Sequence, residues 1–207
     1  ALNGIDSFFQ IKVGDNIERI VEGLNAALLR SDAVICCGGL GPTQDDITRE
    51  AIAKVMQVQL ERDEEVEKRI AKIFKSRGRS MPQNNLRQAL VPEGAHVIKD
   101  QPGTAPGLIC PIGRKILYAV PGVPYELKQM MESTILPHLV KTSGNKMMIG
   151  SRVLRTWGHS ESRLAELLSD RIEKLDGSRL ATIAFLASGI EGLKVRITAK
   201  AENAFSL

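Results

Sequence analysis

The sequence predicts an α/β protein, and three observations carry that reading. The run Ala33-Val34-Ile35-Cys36-Cys37 is apolar at every position, as expected of a strand covered by helices on both faces of a parallel sheet. Strand-like segments pass repeatedly into segments of helical periodicity, which is the pattern of alternating β and α units. The last sixty or so residues instead read strand, helix, strand, strand, a small βαββ unit of α+β type.

From the amino end, residues 7–13 alternate loosely as a strand and stop at Gly14-Asp15; Ile17, Ile20, Val21, Leu24 and Leu28 then recur at helical spacing, with Asp15 or Asn16 as the cap. After the apolar strand comes Gly38-Gly39-Leu40-Gly41, then a helix over residues 46–56. A stronger helix spans 63–77, with Val66, Ile70, Ile73 and Phe74 on one side and acids leading bases, as the helix dipole favours. Pro82, Pro92, Pro102, Pro106 and Pro111 punctuate the middle, so loops are expected there around a short helix at 85–90. Residues 107–111 and 115–120, joined through Ile112-Gly113-Arg114, read as a hairpin. Val120-Pro121-Gly122 leads into a helix that buries Leu127, Met130, Met131 and Ile135. Residues 141–150, with Ser143-Gly144-Asn145, are the expected linker and divide the chain into domains 1–145 and 146–207. The second domain holds a strand at 152–157, a helix at 160–175 with Ser160 as its cap, and strands at 182–186 and 193–199.

Composition narrows the function classes. The 207 residues are 43% hydrophobic and 25% charged, the balance of a globular chain. No apolar run approaches bilayer length, so no membrane partner is expected. The net charge of +4 is spread along the chain, which leaves nucleic acid an unlikely default partner. Cys36, Cys37 and Cys110 form no CxxC pair and no Cys/His metal spacing, and are read as buried thiols in a reducing cytoplasm. Neither a basic leader nor a signal-type apolar stretch directs export. His96, His138 and His159 lack mutual metal spacing.

The chemistry concentrates in Gly38-Gly39-Leu40-Gly41-Pro42-Thr43-Gln44-Asp45-Asp46-Ile47-Thr48, between a buried strand and a helix. Ligands of open α/β sheets sit at the carboxyl ends of strands, and glycines let backbone N–H groups approach a phosphate closely. A helix end contributes only about 0.3 to 1 kcal/mol per charge near the surface, which is weak for a diphosphate. A divalent metal would supply the remainder, held by Asp45 and Asp46 together with substrate oxygens; magnesium is expected, with cobalt or manganese as alternatives. The competing reading is a tight strand-to-helix turn in which Asp45, Asp46 and Thr48 merely cap the helix. No Gly-Lys-Ser/Thr closes the loop and no dinucleotide fingerprint is present. Lys68, Lys72, Lys75 and Arg79 form a helical stripe, read as a solvated face.

These residues resemble a family. The loop at 38–48 is similar to the signature of the CinA-type (competence/damage-inducible protein A) branch of the molybdopterin-binding, MoaB/MogA-like superfamily. Val13-Gly14-Asp15-Asn16, the Asn-rich stretch with Asn84, Asn85, Arg87 and Gln88, Gly103-Thr104-Ala105-Pro106-Gly107 and Pro121-Gly122-Val123-Pro124-Tyr125-Glu126 resemble further family segments. Gly158-His159-Ser160-Glu161-Ser162 and residues 193–199 resemble the small KH-like domain that follows in CinA proteins. The resemblance implies a three-layer α/β/α MoCF-type domain around a mostly parallel sheet. It also implies metal-dependent hydrolysis of the pyrophosphate bond of ADP-ribose, or a related dinucleotide, with no permanently bound organic cofactor. On that reading Asp46, Asp15 and Glu126 are the candidate catalytic carboxylates, and Asp45 and Asp46 the metal ligands. Gly38, Gly39, Gly41, Thr43, Thr48, Asn84, Asn85, Gln88, Thr104, Gly107, Pro121 and Gly122 would bind the nucleotide and its phosphates. Several of these have a bland alternative: Asp15 either faces the pocket or caps its helix, and the amides either read ribose and base edges or satisfy neighbouring loops.

The family's opening strand, Gly-Thr-Glu-Leu-Leu-like loop and helix do not precede Ile5, and no deamidase domain follows, so deamidase activity is not carried over. Apolar faces left by that absent unit favour pairing into a homo-oligomer, a dimer. Two other classes stay open: a non-catalytic module binding molybdopterin or nucleotide, and an interaction protein using the KH-like tail, which carries no Gly-x-x-Gly clamp.

Overall fold

A computed structural model describes residue 5 and residues 7–144, 148–178, 181–187 and 192–201. Two compact units divide the chain, one spanning Phe8–Leu139 and the other built from Val140 onward.

The first unit is organised around a four-stranded sheet in the order β1-β6-β5-β4, formed by β1 (Ala33–Cys37), β4 (His96–Val97), β5 (Leu108–Ile112) and β6 (Lys115–Val120). β1 and β6 run parallel, while β5 is antiparallel to both β6 and β4. The α/β class holds, but the sheet is mixed rather than mostly parallel. The hairpin expected at Ile112-Gly113-Arg114 forms, and strands joined by so short a turn can pair only antiparallel. A separate antiparallel ribbon joins β2 (Leu60–Arg62) to β3 (Leu90–Pro92).

Helix α1 (Ile17–Arg30) is capped by Asn16, whose side chain accepts the Arg19 N–H at 3.0 Å, and buries Leu24 and Leu28. With α2 (Thr48–Met56) it covers one face of the sheet, packing Leu24, Leu28, Leu40 and Ile52 against Leu108, Cys110, Leu117 and Ala119. Strand alternation turns Tyr118 and Val120 to the opposite face, where both are buried. There the Tyr118 hydroxyl lies 2.6 Å from His138 Nδ1 on α5 (Leu136–Ser143), which continues α4 (Pro124–Met130) through a π turn. Helices thus lie on both faces of β6. β1 differs: Ile35 is 43% exposed and Cys37 is exposed, because β1 ends the sheet and only its Val34/Cys36 face meets the core. The expectation of a strand covered on both faces, with all three thiols buried, is corrected there.

Asp63 caps α3 (Glu64–Ser76), its Oδ1 accepting the N–H groups of Glu65 and Val66 at 2.9 and 3.0 Å. The short helix of the Pro-rich stretch is a 3-10 helix, Gln83–Ala89. Residues 7–13 form no strand. Two of their apolar side chains touch α1 instead: Val13 packs beside Gly23, and the Phe9 ring lies 4.0 Å from the Arg30 guanidinium, while Phe8 is 78% exposed.

The second unit contains β7 (Met148–Thr156), α6 (Glu161–Ser178), β8 (Ala181–Ala187) and β9 (Leu193–Ala201) in a sheet ordered β7-β9-β8, both pairings antiparallel. This is the expected βαββ unit. Ser160 accepts the Arg163 N–H at 3.3 Å and caps α6. Of the expected linker, residues 141–143 belong to α5, and Asn145 with residues 146–147 lies outside the described residues. Among the described residues no helix is long and apolar enough to cross a membrane.

Candidate functional site

Because β1 and β6 are parallel, their carboxyl ends open at the same edge, and the loops that leave them touch. The Gly38 N–H donates to the Val120 carbonyl at 2.9 Å, and Gly122 lies so near that a Cβ on it would sit 3.6 Å from the Gly38 Cα. Gly38 and Gly39 adopt φ of 97° and 67°, the left-handed region that favours glycine. At Gly39 the requirement is steric as well, since a Cβ there would overlap the Thr48 hydroxyl. That hydroxyl donates to the Gly38 carbonyl at 2.8 Å, and the Thr48 N–H donates to the Gly39 carbonyl at 3.1 Å. Thr48 therefore ties the turn to the start of α2 with both of its donors.

Asp46 closes the rest of the loop. Its Oδ2 accepts the Thr43 N–H at 2.8 Å and the Thr43 hydroxyl at 2.5 Å, and the Gly41 backbone lies close enough to the same carboxylate to help lower its pKa. A Cβ on Gly41 would overlap that carboxylate. Burial pushes the Asp46 pKa up, but the Thr43 donors, the Gly41 backbone and the nearby Arg49 charge outweigh it and hold the group below its usual value.

Beneath the loop lies Arg49, 0% exposed. Its Nη1 donates to the Leu40 carbonyl at 2.6 Å and its Nη2 to the Gly41 carbonyl at 2.8 Å. Gln88 donates to the same Leu40 carbonyl at 3.5 Å, and Asn85 donates to Gln88 at 2.8 Å, so these two buried amides brace the loop from behind. Arg87 donates to the Thr43 carbonyl at 2.6 Å while pairing with Glu50 at 2.7 Å. Sequence reasoning missed Arg49 and Glu50. A signal was present: an arginine in the first turn of a helix opposes the dipole and calls for another partner.

Glu126, in the first turn of α4, is buried against Gly103, where a Cβ would overlap its carboxylate, and accepts the Tyr125 hydroxyl at 3.1 Å. From the other side Arg69 donates to the carbonyls of Gly103 at 2.8 Å and Thr104 at 3.3 Å. Gly107 is buried where a Cβ would meet the Met130 sulfur at 2.6 Å. Cys37 Sγ lies 3.6 Å from the Pro121 carbonyl, at the turn that adjoins Gly38. Asp15, Asp45 and Asn84 are exposed.

Among the described residues no three or more His, Cys, Asp and Glu side chains group as metal ligands. A divalent cation would need a bound phosphate to complete its ligands, since Asp45 is exposed and Asp46 Oδ2 is already engaged by Thr43. Magnesium uses such sites, one or two carboxylates completed by substrate oxygens.

A glycine loop at the shared mouth of two parallel strands, braced by a buried arginine and leading into a helix, is placed where open α/β sheets in general hold their ligands. The chain belongs to the family described as probable molybdopterin binding domain, which matches residues 2–141. Residues 151–206 match the damage-inducible protein CinA KH domain. The chain is 46% identical to a putative competence-damage inducible protein of Clostridium beijerinckii over 97% of this chain and 47% of that one. It is 44% identical to a CinA-like protein of Frankia casuarinae over 92% and 45%. It thus spans about half the length of the curated relatives it matches. A crystal structure of the protein CinA of unknown function from Thermoplasma acidophilum, 37% identical, superposes with a TM-score of 0.52 over 58% of this chain and 70% of that one.

Proposed function

We propose that the loop at residues 38–48 binds the phosphates of a nucleotide and that the chain hydrolyses a pyrophosphate bond there, in ADP-ribose or a related dinucleotide. One observation carries this reading: the loop converges both donors of Thr43 on an oxyanion, the Asp46 carboxylate, beside Gly41 at the mouth of the sheet. A site that gathers N–H and O–H donors on one carboxylate oxygen has the chemistry a phosphoryl oxygen requires. Among the described residues the N–H groups of Gly39 and Leu40 make no backbone hydrogen bond in the loop.

In the reaction, a water oxygen bonds to one phosphorus, the bridging P–O bond breaks, and the water proton passes to a carboxylate. ADP-ribose then yields AMP and ribose 5-phosphate. Asp46 is the candidate nearest the phosphate loop; Asp15 at the α1 terminus and Glu126 beneath the Gly103 loop are the other two. A magnesium ion held by Asp45, Asp46 and substrate oxygens would neutralise charge and polarise the phosphoryl group. Thr104 and Gly107 belong to the loop that Arg69 clasps, and Pro121-Gly122 forms the wall beside Gly38.

The test is release of AMP from ADP-ribose, FAD and NAD by the purified protein, with magnesium, manganese, cobalt or no metal. Metal-dependent AMP release is expected, and no AMP under any condition removes the hydrolase reading. A second reading, a module that binds molybdopterin or nucleotide without turnover, is favoured by the family's description and by an Asp46 already engaged with the loop. Tight binding by a protein that releases no product would support it.

A further inference from the structure

We infer that the Asp46 carboxylate is an internal occupant of the anion site, and that a ligand phosphate enters by displacing it. The inference rests on the loop being an anion site, as proposed above.

Two independent observations support it. The first is occupancy: both donors of Thr43 are spent on a negatively charged group of the chain itself, and Gly41 abuts the same carboxylate. A phosphoryl oxygen and a carboxylate oxygen want the same donors in the same geometry, so the two compete. The second is the charge underneath. Arg49 is fully buried, its Nε has no partner, and among the described residues no carboxylate forms an ion pair with it. A buried guanidinium satisfied only by two carbonyls keeps its positive charge directed at the loop. Glu50 first and Asp46 second offset that charge at longer range in the free protein; an entering phosphate would take over the part of Asp46.

Displacement has a consequence for the same residue. Once a phosphate holds the Thr43 donors, the Asp46 carboxylate is released with both oxygens available, beside Asp45 and the bound anion. Arrival of the phosphate and exposure of the carboxylate are then one event, and the carboxylate is sheltered until substrate is present.

The experiment is calorimetric titration of inorganic pyrophosphate, in chelator and without added metal, into wild type, Asp46→Asn and Asp46→Ala. If the site is open no more than about a tenth of the time, removing the internal anion tightens binding about tenfold. Pyrophosphate binding to wild type is also expected to move the amide resonances of Gly41 and Thr43 and the carboxyl carbon resonance of Asp46, a readout that needs no variant. If wild type binds pyrophosphate but neither variant binds it more tightly, or if those three resonances stay fixed, displacement is wrong and the anion site stands. If no protein binds pyrophosphate, the anion site and the displacement fall together.

Discussion

At Gly39 and Gly113 the same backbone region is used under different constraints. Both have positive φ, 67° and 59°, but a Cβ on Gly39 would overlap the Thr48 side chain while one on Gly113 meets nothing within 4 Å. Gly113→Ala is therefore expected to cost about 1 kcal/mol, the strain of the left-handed backbone alone. Gly39→Ala should cost at least about 2 kcal/mol, because Thr48 must also give up its bond to Gly38. Urea denaturation of the two variants checks the order; equal costs would mean that Thr48 does not fix the turn. Asp46 adds a pH signature. Its folded pKa lies below the 3.8 of the free group, so its stabilisation is full above that value and is lost as pH falls through the depressed folded value. The stability gap between wild type and Asp46→Asn should shrink on acidification below about pH 4, followed by denaturation at fixed pH steps. A gap unchanged down to pH 2 would show that the carboxylate gains nothing from its donors.

Along β1 the period of two sets the fate of three thiols. Cys36 faces the core beside Cys110, and burial foremost pushes their pKa values up to about 11 and about 12. Cys37, the next residue, is turned outward and exposed. A thiol-specific disulfide reagent at neutral pH is expected to consume one thiol quickly and the other two only on unfolding. Three fast thiols would contradict the inward placement of Cys36. The all-apolar run announced a strand, yet it could not tell that the Ile35/Cys37 face of this one is exposed. Asn85 and Gln88 tell a similar story: their polarity singled them out, but only the fold shows them stacked behind the Leu40 carbonyl.

For the molecule as a whole, the matches divide as the chain does, a molybdopterin-binding-type domain followed by a CinA KH domain. The first unit's sheet ends at β1 with Ile35 43% exposed, and Leu29 on α1 is 84% exposed. We propose that a second copy of the chain covers this apolar surface. Light scattering across a concentration series is expected to show dimers, and a monomer at every concentration would remove that expectation.

The helices, the strands β1, β5, β6, β7, β8 and β9, the glycine loop and the family were legible in the chain because periodicity, capping residues and glycine punctuation act over a few neighbours; the short strands β2, β3 and β4 were not. Asn16, Asp63 and Ser160 cap the helices that their local patterns announced. Partners of long sequence separation were not legible. Arg49 beneath Leu40, Arg69 and Glu126 on either side of Gly103, the mixed sheet, and the placement of Phe9 and Val13 against α1 rather than in a strand depend on which surfaces meet once the chain is packed. Burial and hydrogen-bond satisfaction are settled by such distant contacts, and a local pattern carries no record of them.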